Sequence, residues 1–342
     1  MKQARVPREG AILRLPLLQA VCLASAVTLG FAFSACGGGG SGGNSSSDSP
    51  RPSPSPSANS IQLPDRSPTQ LQLPIRIAVS LPLFQEFART AGGDNVEVIS
   101  LIPQGADPHT YQLKPEDIAR MKGVDFFFLN GLGLDSRLQD VIEANRDEAS
   151  HVIPFAPNIN SPTANGRTAE QAGDNAHLWL DPTLASVYVE IIVDELDIYD
   201  GIHKDTYDAN FRNFQQRMTD LQNQLTSSLK PVSPERRKLI TYHDSFQNFA
   251  RRFGFQVAGF AVPTPADSPP AGTASRLSTI VQDGALRAIF AETGYDAAIM
   301  QEVATSTGAT LCTLATDMPD SSVNYEDMMR ANTAEIVRCL GG

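Results

Sequence analysis

From Lys204 to Lys230 the chain has neither Gly nor Pro, and Tyr207, Phe211, Phe214, Met218, Leu221 and Leu225 recur at steps of three and four. That period predicts one amphipathic helix, roughly 40 Å long at about 1.5 Å per residue. The helix divides the body of the chain, because short apolar runs alternate with helical patterns on both sides of it. Before it, Ile75–Ser80, Val96–Ile102, Asp125–Asn130 and His151–Phe155 read as strands, and Leu83–Ala91, Lys114–Met121 and Ser136–Asn145 as helices. After it, Leu239–Tyr242, Gln256–Ala261, Ala288–Ala291 and Thr310–Leu314 read as strands. Helices are expected near Phe246–Phe253, Ala274–Asp283, Asp296–Thr305 and Tyr325–Leu340. Such alternation predicts an α/β chain with mostly parallel sheets covered by helices. Residues 75–203 and 231–342 would form two lobes of four strands each, joined by the 204–230 helix, with a ligand cleft between them.

Residues 1–35 are excluded from the fold. Lys2, Arg5, Arg8 and Arg14 precede an apolar run from Leu15 to Phe33, the pattern of an export signal. Phe33-Ser34-Ala35-Cys36 resembles a bacterial lipobox, which implies acylation at Cys36 and a membrane anchor; a plain secretory signal is the alternative. Residues 36–74 are rich in Gly, Ser and then alternating Pro, a composition that cannot build a core and reads as a flexible tether.

The net charge is −11, and removing four basic residues and Glu9 with the signal takes it to −14. A strongly acidic body argues against nucleic-acid binding. Of four cysteines, Cys22 lies in the signal and Cys36 at its end, leaving Cys312 and Cys339 as a disulfide expected in an exported protein. No C-x-x-C spacing supports a cysteine zinc site.

Five histidines occur, and three of them, His109, His177 and His243, follow runs that read as strands. Side chains at the carboxyl ends of strands in open α/β sheets converge on the ligand site. His109 and His177 belong to the first lobe and His243 to the second, where Asp317 follows the last strand and supplies a fourth donor. Three imidazoles and a carboxylate suit a closed tetrahedral zinc site. A lone loop histidine is more often a surface or capping residue, and His151 and His203 receive that reading. Asp107, Asp181, Asp244 and Glu292 are placed to orient ligand imidazoles; for Asp181, just before Pro182, helix capping is preferred.

Three motifs carry a resemblance. Gly105-Ala106-Asp107-Pro108-His109-Thr110-Tyr111, His177-Leu178-Trp179-Leu180-Asp181-Pro182 and His243-Asp244-Ser245-Phe246 resemble those of the zinc/manganese solute-binding proteins of bacterial ABC importers. Tyr325-Glu326-Asp327-Met328-Met329 with Asn332 matches that family's last helix. The resemblance covers about residues 75–340. It implies two Rossmann-like lobes on a rigid helix, metal ligands at His109, His177, His243 and Asp317, and delivery of the metal to a membrane permease served by its own ATPase. Asn158–Ala176 lacks the histidine-rich loop common in zinc-uptake members, and Leu113 replaces a common proline.

The donor set favours Zn(II), with Mn(II) or Fe(II) as runner-up. The expectation is therefore an exported, monomeric, metal-binding lipoprotein and not an enzyme. A zinc hydrolase is the rival of another class, opposed by four protein ligands and the lack of an H-E-x-x-H helix. A surface adhesin on the same fold is a third reading.

Overall fold

The computed structural model describes residues 74–159, 174–316 and 323–341. The expected signal and Cys36, all but the last residue of the expected tether, and Asp317 lie outside the described residues. In the first lobe β1 (Ile75–Val79), α1 (Pro82–Gly92), β2 (Val96–Ser100), α2 (Pro115–Arg120), β3 (Phe126–Leu129), α3 (Ser136–Asn145), β4 (His151–Pro154) and α4 (Phe155–Ile159) follow in order. Their strands form one parallel sheet in the order β2-β1-β3-β4. The regular strand β2 ends at Ser100, two residues before the sequence suggests. Leu101 and Ile102 nevertheless still donate to Val79 O (2.9 Å) and Ser80 O (3.1 Å).

Helices α5 (Pro182–Tyr199) and α6 (Lys204–Ser228) lead into the second lobe. The six periodic apolar residues of α6 are its buried residues, packed toward α5, α1 and α10. The 18-residue α5 had no counterpart among the sequence-based helices. Its Leu184, Ala185, Val187, Tyr188, Val189, Ile191, Ile192 and Val193 are all buried. A helix covered on nearly every side shows no apolar stripe, so its period is silent.

The second lobe comprises β5 (Lys238–His243), α7 (Gln247–Phe253), β6 (Gln256–Val262), α8 (Thr273–Asp283), β7 (Ala288–Glu292), α9 (Ala298–Thr307), β8 (Thr310–Leu314) and α10 (Tyr325–Leu340). Its four strands are hydrogen-bonded as two parallel pairs, β5–β6 and β7–β8, with β5 lying beside β7. The spatial order β6-β5-β7-β8 thus repeats that of the first lobe. The β5–β7 seam is closed at its carboxyl end by a side chain, since the His243 amide donates to Glu292 Oε1 at 2.9 Å.

One apolar core runs through both lobes. At its centre Phe84 and Phe87 of α1 meet Trp179, Tyr188, Phe214 and Tyr325 at ring separations of 5.1–5.8 Å. All six are essentially fully buried, and burial of a side chain of this size contributes about 1.5–3 kcal/mol. The lobes are held by shared packing as well as by the linking helix. A disulfide between Cys312 of β8 and Cys339 of α10, with Cα atoms 6.7 Å apart, ties the last helix to the last strand. Among the described residues no helix is long and apolar enough to cross a membrane.

Candidate metal centre

His243 is the final residue of β5 and is fully buried. His109 sits in the turn after β2. Asp107 orders that turn by accepting from the His109 amide (2.9 Å) and from the Thr110 hydroxyl (2.7 Å). His177 departs from the strand-end expectation: it precedes a single 3-10 turn, Leu178–Leu180, that feeds α5. It reaches the cleft because this turn is clamped between the lobes. Trp179 Nε1 donates to Thr316 O (3.3 Å), and Tyr325 Oη donates to Trp179 O (2.7 Å). Burial pushes the Tyr325 and Tyr188 hydroxyls well above their ordinary pKa, which keeps both protonated as donors. Tyr188 donates to Asn130 Oδ1 (2.6 Å), and the Asn130 amide donates to Ala176 O (3.0 Å).

The three imidazoles come together. His177 Nε2 and His243 Nε2 are 3.0 Å apart, and the His109 ring lies 5.5 and 5.4 Å from those of His177 and His243. One nitrogen from each ring lies within 4.8 Å of the others. Glu292, at the end of β7, binds the His243 segment with both oxygens. Oε1 accepts from the His243 amide, and Oε2 lies 2.9 Å from His243 Nδ1 while accepting from Ser245 and Thr316 hydroxyls at 3.0 Å each. Asp107 and Asp244 act differently from the sequence-based expectation. Asp107 accepts from the His109 backbone, and the Asp244 carboxylate accepts from Gln247 Nε2 (2.8 Å).

Asp181 caps α5 by accepting from Thr183 N (2.9 Å), and it also pairs with Arg252 of α7 in the other lobe (2.8 Å). His151 stacks on Phe126, and His203 contacts Asp200 at 2.7 Å. Three residues around the site receive no role from the sequence: Asn175, Asn248 and Arg252. Asn175 Oδ1 lies 3.2 Å from His177 Nδ1, and Asn248 Nδ2 donates to His177 O at 3.0 Å. Apart from the Asn175–His177 ring contact, the pairings that place them cross about 70 residues of sequence, and no motif records such pairings. A cavity of about 660 Å³ opens onto the cluster, with His109, His177, Asn175, Asp244, Asn248 and Arg251 in its wall.

The family model described as zinc-uptake complex component A, periplasmic, matches residues 77–339. The chain belongs to this family. The manganese-binding lipoprotein MntA of Halalkalibacterium halodurans is 27% identical over 271 residues, covering 78% of this chain and 88% of that protein. The iron-binding protein YfeA of Yersinia pestis is 25% identical, covering 72% and 78%. A crystal structure of ZnuA superposes with a TM-score of 0.67 at 27% identity, covering 78% of this chain and all but 1% of the other (99%). The zinc-uptake component family consists of extracytoplasmic solute-binding proteins, not enzymes.

Proposed function

We propose that this protein captures Zn(II) between its lobes through His109, His177, His243 and Asp317 and passes it to the permease of an ABC importer, whose separate ATPase drives transport. The coarser function, a metal-binding solute-binding protein of such an importer, follows from family membership. The observation that supports capture by these histidines is the pair of facing Nε2 atoms, 3.0 Å apart. Each ring's Nδ1 faces an oxygen acceptor, Asn175 Oδ1 for His177 and Glu292 Oε2 for His243. An acceptor at one ring nitrogen puts the proton there and leaves the other nitrogen with its lone pair. Two ring nitrogens at this range repel unless a cation or a proton lies between them.

Adjacent nitrogens at about 2.0–2.1 Å from one tetrahedral zinc are roughly 3.3 Å apart, close to this spacing. A six-coordinate ion gives a similar separation, so donor chemistry and not distance favours zinc: imidazole suits zinc, whereas manganese prefers oxygen. Thr316 is buried with its hydroxyl on Glu292, the carboxylate that also holds the His243 segment. Mn(II) or Fe(II) is the second reading, favoured by the manganese and iron relatives. Acylation of Cys36 would hold the monomer at the membrane. Titration of metal-free protein with zinc and manganese against a chelating indicator tests the proposal. One tight zinc site, weakened strongly in His243→Ala, is expected. Manganese binding more tightly than zinc would overturn the choice of metal.

A further inference from the structure

Asn175 stands two residues before His177 and touches both lobes. Its amide orientation is fixed by partners that have only one role each. The His177 backbone N–H, which can only donate, lies 3.1 Å from Oδ1. The Asp244 carbonyl, which can only accept, lies 2.6 Å from Nδ2. Oδ1 therefore also faces His177 Nδ1 at 3.2 Å as an acceptor, and a carbonyl oxygen with two lone pairs can take both bonds. The consequence is a defined tautomer: the proton sits on His177 Nδ1, and Nε2 presents its lone pair toward His243. Nδ2 meanwhile ties this loop to the residue that directly follows His243. Asn248 of α7 supports the same segment from the second lobe, donating to His177 O (3.0 Å) and Asn175 O (3.3 Å).

We infer that Asn175 is the positioning residue that presets the two-imidazole half of the metal site, fixing the His177 tautomer with one end of its amide and the spacing to His243 with the other. The inference rests on the metal-capture reading for its purpose and on Asn175's own contacts for its mechanism. Loss of a group that orients a ligand imidazole typically lowers metal affinity about 10–100-fold. The two ends are separable, because an ionised Asp keeps the acceptor and loses the donor.

The test uses the metal-free chain, with ring-nitrogen chemical shifts of His177 as the tautomer readout and zinc affinity by chelator competition as the second. Wild type should show His177 as the Nδ1–H form. Asn175→Ala should give mixed tautomers and a loss of about 10–100-fold in affinity. Asn175→Asp should restore the Nδ1–H form, with an affinity between the two. If Asn175→Ala does not fold, Asn175→Asp carries the test, with its tautomer kept and its affinity below wild type. An unchanged tautomer in Asn175→Ala, or equal affinity losses in both variants, would overturn the inference. Absence of any zinc binding in wild type would instead overturn the capture reading, and the tautomer measurement would still decide the role of Asn175.

Discussion

Arg252→Ala removes the cation that crosses from α7 to the cap of α5. The Asp181 carboxylate it leaves behind is 1% exposed, whereas the Arg252 side chain is 18% exposed. Breaking a buried ion pair by deleting one partner costs about 3–5 kcal/mol, because the remaining charge is left desolvated. Here Asp181 keeps the Thr183 amide at 2.9 Å and the Thr183 hydroxyl at 2.7 Å. The positive end of α5 offsets roughly another 0.3–1 kcal/mol. The expected loss is therefore at the low end, about 3 kcal/mol. Asp181→Asn should cost less, about 1–2 kcal/mol, since Asn still caps a helix and the partly exposed Arg252 can rehydrate. The double variant should fall short of the sum of the single losses by about 1 kcal/mol or more. Urea unfolding of metal-free protein provides the assay, read by the fluorescence of Trp179, the sole tryptophan, fully buried two residues before Asp181. A smaller loss in Arg252→Ala than in Asp181→Asn, or strict additivity, would refute the reasoning.

Replacing Cys312 and Cys339 by Ser should destabilise the protein by about 3–4 kcal/mol on the loop-entropy account, given their separation of 27 residues; denaturant unfolding before and after the change checks this. Burial raises the pKa of Asp135 despite its bonds from the Asn130 and Gly131 amides. Its contribution to stability is then greatest below the unfolded carboxyl value and is lost as pH rises through the folded one. Unfolding of wild type and Asp135→Asn at a series of pH values should show the stability of wild type falling relative to the variant over that window. Glu292→Gln should weaken zinc binding about 10–100-fold in chelator competition, because the carboxylate faces His243 Nδ1 at 2.9 Å. Chelator treatment should lower the melting temperature, since metal at 1,000 times its Kd adds about 4 kcal/mol.

Period and alternation made α6 and most strands legible, because those elements each bury one face or one short run. Where burial is nearly complete, as in α5, the pattern disappears although the helix is one of the longest. The scarcity of histidine drew attention to His109, His177 and His243, and the fold brings these three rings together. The route taken by His177 was not legible. It depends on Thr316, Tyr325 and Asn248 of the other lobe gripping the turn that carries Trp179. Asn175 was missed for a related reason, since one end of its amide holds a backbone carbonyl 69 residues away. Glu292 was visible only as a carboxylate near a strand end; its grip on the His243 amide depends on β5 lying beside β7.

The most direct test of the central claim is zinc K-edge X-ray absorption on protein loaded with one equivalent of metal. Three imidazole nitrogens and one carboxylate oxygen at about 2.0–2.2 Å are predicted. A shell with fewer than three imidazoles, or with sulfur at about 2.3 Å, would contradict capture by His109, His177 and His243.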